Sequence, residues 1–313
     1  MDIVLLFPGQ GSQKPGMGKD LFDAFASARE VFDRADAVLG APLSRLCFEG
    51  PPDDLTLTHN AQPALLAHGA AVWSIARERI GERVRAAAGH SLGELTAYYA
   101  AGSFTLDDAL RLVRRRGELM YESGVVRPGT MAAILGDMKE SVEEICERAS
   151  GDAGLVVAAN YNSPGQVVIS GEVAGVERAM TLAKAAGAKR VVRLTVSGAF
   201  HSPLMATAAK EFSTALEAID LGDPGFPVYA NIDGQPITSA GRARRALFEQ
   251  LTSPVQWTKE IQTLAEHYPD ALCVEMGPGS VLVGLVKKIA PELKTATCGT
   301  VAEVEQLLEL VAS

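Results

Sequence analysis

Two spacings of apolar residues alternate along the chain, and the changeovers mark its elements. Ile3-Val-Leu-Leu-Phe7 is an unbroken apolar run, the pattern of a strand covered on both faces within a parallel sheet. From Leu21 to Ile80 the spacing is mostly helical, interrupted at Pro42 and at Gly50-Pro-Pro-Asp-Asp54, because proline and glycine end helices. The most apolar of these helices, Gln62 to Trp73, is expected in the core with His68 packed inside it. Val84 to Ala88 predicts a short strand, and Glu94 to Ala101 a helix that stops at Gly102. Thr105 reads as an N-cap, with Asp107 and Asp108 in the first turn of a helix to about Glu122.

Between Val126 and Gly198 the spacing changes. Strands are predicted at Thr130 to Gly136, Leu155 to Asn160, Gln166 to Ser170 and Arg190 to Val196, with helices at Ser141 to Ala149 and Ala174 to Ala186. That βαββαβ order is a ferredoxin-like module of about seventy residues. The flanking segments share a larger α/β style, so residues 126–197 read as an insert in a discontinuous domain of 1–125 and 198–313. Beyond His201, strands are expected at Val228 to Asn231 and Ala271 to Glu275, and helices at Glu260 to Glu266 and Val301 to Val311. Met276-Gly-Pro-Gly-Ser280 makes a tight turn at a strand end.

Composition narrows the class. The chain has 313 residues, 47% of them hydrophobic, and a formal net charge of −9, which disfavours nucleic acid as a partner. No apolar run approaches the ~18 residues of a membrane helix. The N-terminus begins acidic and reads as a strand, not a signal peptide. Cys47, Cys146, Cys273 and Cys298 are far apart with no neighbouring histidines. That spacing predicts no metal site and no disulfides, and a reducing cytoplasm.

The chemistry centres on Ala88-Gly-His-Ser-Leu-Gly-Glu94, which contains the G-x-S-x-G of a nucleophile elbow. A serine on a sharp strand-to-helix turn needs small neighbours so that the chain can double back. The opening helix then aims backbone N–H groups at any oxyanion. The glycine-rich loop Pro8 to Gln13 does not fit a phosphate loop: Gln13 and Asp20 stand where glycine and a hydroxyl residue are required. Nor does it fit a dinucleotide loop, because Lys14 replaces the last glycine. Its glycines instead predict a close backbone approach to something.

Ala109, Leu112, Val113 and Met120 form an apolar helical stripe, and Arg116 occupies its i+7 position. An arginine aimed inward must find an anion, whether a ligand or an internal carboxylate. Ser91 also needs a general base. Of the five histidines, His90 should point away from Ser91, while His59 and His267 lie in polar helical surroundings. His201 follows a strand directly, in a loop, and is the expected base. Glu275, Asp270 and a backbone carbonyl all stay open as the group that orients it.

Together these residues resemble the malonyl-CoA:acyl-carrier-protein transacylases of fatty-acid synthesis and the acyltransferase domains of polyketide synthases (PKS). The resemblance covers essentially the full length. It rests on Phe7 to Gln13, Thr58 to Ala64, Gly89 to Glu94, Arg116-Gly117, Asn160 to Gln166, Phe200 to Met205, Pro254 to Trp257 and Glu275 to Gly279. It implies an α/β-hydrolase-like large domain with a parallel sheet plus the ferredoxin-like subdomain. By the same resemblance Ser91 is the acylated nucleophile, His201 its base, and the backbone amides of Gln10 and Leu92 the oxyanion hole. Arg116 would bind the malonyl carboxylate, the main-chain carbonyl of Gln256 would orient His201, and Gln62, Asn160 and Phe200 would line the pocket.

The implied reaction is ping-pong transfer of malonyl from malonyl-CoA, through malonyl-Ser91, to the phosphopantetheine thiol of acyl carrier protein. No permanently bound cofactor, no metal, no membrane and a monomer are expected. Phe200 beside His201 and Leu92 after Ser91 resemble the malonyl-selective pattern of polyketide acyltransferases, so both pathways stay open. Arg242, Arg244 and Arg245, or Lys184, Lys189 and Arg190, offer basic clusters for an acidic carrier protein. A hydrolase clearing uncharged acyl groups, which would have no use for Arg116, and a non-catalytic carrier-binding module are the rival readings.

Overall fold

The computed structural model describes residues 1–151 and 154–312. The first part of the chain forms β1 (Ile3–Phe7), α1 (Lys19–Ala24), α2 (Ala26–Leu39), α3 (Leu43–Glu49), α4 (Pro52–Thr56) and α5 (Thr58–Ile80), then β2 (Val84–Gly89), α6 (Leu92–Ala100) and α7 (Leu106–Val126). A second unit follows: β3 (Gly129–Leu135), α8 (Val142–Ala149), β4 (Val156–Ser163), β5 (Gln166–Glu172), α9 (Val173–Ala185) and β6 (Arg190–Arg193). The remainder supplies α10 (Ala206–Glu217), β7 (Val228–Tyr229), β8 (Pro236–Ile237), α11 (Ala240–Gln250) and α12 (Trp257–His267). It ends with β9 (Leu272–Glu275), α13 (Val281–Ile289), β10 (Lys294–Thr297) and α14 (Val301–Ala312).

The fold is mixed α/β. Its larger sheet has six strands in the order β10-β9-β1-β2-β7-β8, parallel except at the β7–β8 edge. All residues of β1 are buried, and their alternation assigns them to two cores. Ile3, Leu5 and Phe7 join the core around α5, while Val4 and Leu6 join Trp257 and Ile261 of α12 and Leu282 of α13. Successive side chains of a strand point to opposite faces, so the unbroken apolar run feeds a helical layer on each side.

Helix α5 is buried continuously from Ala61 to Trp73, as expected of a helix that is apolar all round. Pro63 lies inside it and cannot donate to the carbonyl of His59. Arg114 of α7 fills that gap by donating Nη1 to His59 O, which ties the two helices together.

The second unit has the predicted element order and a four-stranded antiparallel sheet, β4-β5-β3-β6. Ile145 and Cys146 of α8 and Val176 and Ala179 of α9 close its separate core. Several boundaries differ from the sequence reading, among them the two that flank this unit. Helix α7 continues to Val126, and β6 ends at Arg193 instead of Val196. After Leu194 the chain peels off the sheet and crosses α7 at Gly124, where a Cβ would lie 1.8 Å from Ser197 O. The units meet where Tyr161 N donates to Val255 O and Val255 N to Ala159 O. Among the described residues no helix is long and apolar enough to cross a membrane.

Candidate active site

The strand-to-helix turn between β2 and α6 is as tight as the pattern of glycines requires. A Cβ at Gly89 would stand 2.0 Å from Gly93 C and O, and one at Gly93 would stand 2.1 Å from Phe7 O. Between them Ser91 adopts φ 54, ψ −110, a conformation that costs a non-glycine residue roughly 1–3 kcal/mol. The turn is anchored to the end of β1 by His90 N donating to Phe7 O at 3.0 Å. Leu92 opens α6, so its amide has no intrahelical acceptor and is free for a ligand oxygen. The loop carrying Gln10 borders the same cavity.

His201 meets the serine: Nε2 lies 2.7 Å from Ser91 Oγ. It too has a positive φ of 54, in the loop after β6. Its Nδ1 lies 3.0 Å from the carbonyl of Gln250. A carbonyl only accepts, so Nδ1 carries the proton and Nε2 presents its lone pair to Ser91. Burial first, then the nearby Arg116 charge, lower the imidazole pKa to about 3, which keeps the ring neutral, with its Nε2 lone pair available, at neutral pH.

The orienting carbonyl is a correction to the sequence reading, which assigned it to Gln256. Gln256 is the N-cap of α12, and its carbonyl already accepts Glu260 N in the first helical turn. Gln250 is the last residue of α11, where carbonyls lack intrahelical donors and can take an outside one. A signal for it existed in the sequence. Ala243, Ala246, Leu247 and Gln250 occupy one buried helical stripe, the signature that singled out Arg116.

Arg116 is fully buried, at 0% exposure. The expected anion is absent among the described residues. Instead Nη1 donates to Gln62 Oε1 at 2.8 Å, and Nη2 to Gln250 Oε1 at 2.9 Å and Ser91 Oγ at 3.1 Å. Burial lowers its pKa to about 10, opposed by Glu94, so it stays charged at neutral pH. Two neutral amides thus fix the guanidinium without neutralising it. An anion entering the site meets an aimed guanidinium with no hydrogen-bonded acid among the described residues.

Ser91 and His201 border a cavity of about 480 Å³ whose walls include Gln10, Gln62, Leu92, Asn160, Phe200 and Met131, and Arg116 reaches it through its contacts with Ser91 and Gln62. A larger groove, about 700 Å³ along α3 and α4, contains no such constellation. The other histidines are elsewhere engaged. His90 turns to Asn162 Oδ1 at 2.8 Å, His267 to the Tyr229 hydroxyl, and His59 packs on the Tyr121 ring. His68 is enclosed within the core. The cysteines are all buried and free, and burial raises each thiol pKa to about 12.

Residues 4–306 match the acyl transferase domain family. The chain belongs to this family, among the malonyl-CoA:acyl-carrier-protein transacylases. The malonyl CoA-acyl carrier protein transacylase of Bacillus subtilis is 46% identical, covering 94% of this chain and 92% of the relative. That of Escherichia coli is 40% identical, over 98% of this chain and 99% of its own. Among solved structures, the acyl-carrier-protein-S-malonyltransferase of Bartonella henselae superposes with a TM-score of 0.95 at 42% identity, covering 100% of both chains. A malonyl-transacylase in complex with its type II PKS acyl-carrier protein gives a TM-score of 0.94 at 41% identity, over 99% of this chain and 100% of that one.

Proposed function

We propose that the chain is an acyltransferase that moves malonyl from malonyl-CoA to the phosphopantetheine thiol of acyl carrier protein, in fatty-acid or polyketide synthesis. One observation carries the choice of acyl group. Arg116 Nη2 lies 3.1 Å from Ser91 Oγ with no hydrogen-bonded acid among the described residues, so a carboxylate reader adjoins the nucleophile. A hydrolase of uncharged acyl chains has no use for that charge. Membership of the transacylase family supports the same reading.

Ser91 Oγ attacks the thioester carbonyl while His201 Nε2 takes its proton. The oxyanion is held by the amides of Gln10 and Leu92. Its collapse breaks the C–S bond, and the CoA thiolate leaves with the proton from His201. In the second half, His201 deprotonates the carrier's thiol, which attacks the malonyl-serine ester, and the proton returns to Ser91. Arg116 holds the carboxylate in both halves, Gln62 and Asn160 line the pocket, and the Phe200 ring crowds an α-methyl branch. CoA and phosphopantetheine enter as parts of substrates, with no permanently bound cofactor, in a cytoplasmic monomer.

On the same reading, residues 1–125 and 198–313 form an α/β-hydrolase-like domain, supported by the parallel sheet with its elbow. Residues 126–197 form a ferredoxin-like subdomain, supported by the β4-β5-β3-β6 antiparallel order. For carrier docking, Lys184, Lys189 and Arg190 are the stronger cluster because none is ion-paired among the described residues. Arg242 and Arg245 are paired with Asp233 and Glu249.

Mass spectrometry after mixing with malonyl-CoA tests this function. A malonyl adduct on Ser91, discharged by holo but not apo acyl carrier protein and absent in Ser91→Ala, is the expected result. No adduct on Ser91 would overturn it.

A further inference from the structure

Behind the elbow lies a second buried polar cluster, joined to the active site through Gln250 and the backbone of Ser91. Its centre is Asn231, which follows β7 and is 0% exposed. Its side-chain Oδ1 accepts Ser91 N–H at 2.7 Å and Gln250 Nε2 at 3.2 Å. Its Nδ2 donates to Gly89 O at 2.8 Å and Glu260 Oε1 at 2.9 Å. Both lone-pair sites and both protons of the amide are therefore used, a pattern that only an asparagine of this reach satisfies. The two bonds to the elbow grip residues on either side of His90, where the strand turns into the helix.

Asn231 is held in turn by two carboxyls, Glu260 at its side-chain amide and Glu94 at its main-chain N–H. Glu94 Oε2 accepts Asn231 N at 3.0 Å and Gln250 Nε2 at 2.7 Å, and Gln250 Nε2 also donates to Ser91 O at 3.0 Å. Glu94 and Glu260 are both 0% exposed. Burial raises both carboxyl pKa values, that of Glu94 to about 7, and each carboxyl has one oxygen with no partner. A strained turn persists only where its surroundings over-determine it. Here the backbone groups of Gly89 and Ser91 are each fixed by a buried amide.

We propose that Asn231 is the positioning residue of the nucleophile: its amide, braced by Glu94 and Glu260, clamps Gly89 O and Ser91 N–H so that Ser91 Oγ is held between His201 and Arg116. This rests on Ser91 being acylated, as read above. The bonds of Asn231 to the elbow are to the backbone of Gly89 and Ser91, so its expected effect is on the rate of acylation more than on the affinity for malonyl-CoA.

The test measures single-turnover malonylation of Ser91 by rapid quench, with the thermal unfolding of each variant recorded alongside. Misplacing a reacting atom by ~1 Å costs about 100-fold in rate, so Asn231→Ala should lose about that much with little change in half-saturating malonyl-CoA. Asn231→Asp adds a distinctive readout. Its carboxylate cannot donate to Gly89 O, but a protonated carboxyl can, so its rate relative to wild type should climb at least severalfold from about pH 8 to about pH 6. Glu94 on α6 and Glu260 on α12 are the hydrogen-bonded neighbours of this position, and the charges acting on these two carboxyls and on Tyr98 of α6 are Asp233 beyond β7, Arg116 on α7 and Arg242 on α11. Burial beside two carboxyls favours the protonated form of the new one.

Should either variant fail to fold, Glu260→Leu against Glu260→Gln replaces it. Loss of rate in the leucine variant and near-wild-type rate in the glutamine variant supports the clamp; equal rates overturn it. A wild-type acylation rate in folded Asn231→Ala, or an Asn231→Asp profile parallel to wild type, overturns the clamp alone. Absence of any adduct on wild-type Ser91 removes it together with the proposed function.

Discussion

Arg116 Nη2 sits 3.1 Å from Ser91 Oγ, the same oxygen that lies 2.7 Å from His201 Nε2. The nucleophile thus stands between a neutral base and a cation that no acid hydrogen-bonds among the described residues. The cation's other partners are the side-chain oxygens of Gln62 and Gln250, which orient it and leave its charge available. On the proposed function, activation and recognition of an acidic acyl group are built around one oxygen atom.

Replacing Arg116 by alanine should separate these roles. Two charge-assisted hydrogen bonds to a carboxylate, at roughly 1.5–2 kcal/mol each, predict a fall in kcat/KM for malonyl-CoA of about 10²- to 10³-fold. Loading of acetyl-CoA, which has no carboxylate, should change little by comparison. Equal losses for both thioesters in steady-state assays would show that Arg116 serves the fold and not the acyl group.

The pH dependence follows from the environment of His201. Its pKa is lowered to about 3 from 6.5, so the acylation-competent neutral ring persists as the pH falls through 6.5. The rate of Ser91 malonylation should stay flat from about pH 8 to about pH 5, where an unperturbed imidazole would lose most of its activity. Stopped-flow measurement of the first half-reaction checks this, and an inflection near the ordinary histidine value would refute it.

Gly93→Ala tests the steric basis of the elbow. The added methyl would meet the backbone oxygen of Phe7 at 2.1 Å, in a part of the sheet with no room to move. Such overpacking predicts a loss of about 3 kcal/mol in unfolding free energy and of most activity. Gly284→Ala in α13 is the control: nothing lies within 4 Å of its Cβ position, and helix propensity predicts a gain of roughly 0.5–1 kcal/mol. Chemical denaturation of both variants gives the comparison.

Local patterns in the sequence were enough to determine several features. The apolar run of β1, the glycines of the elbow, the Thr105 cap and the inward face of Arg116 each follow from short-range sterics or from periodicity along one element. The βαββαβ order of the second unit was legible for the same reason. The tertiary structure decided which distant groups complete the site. Gln250 orients His201 because its carbonyl, at a helix C-terminus, takes only a long 3.3 Å bond from Ser253 N besides the imidazole, whereas the Gln256 carbonyl accepts Glu260 N at 2.9 Å in the first turn of α12. Asn231 faces the elbow only because β7 pairs with β2, and the early end of β6 depends on a crossing over Gly124. Hydrogen-bond partners far apart in sequence are chosen by where helices end and strands pair, and those positions are set by packing of the whole chain.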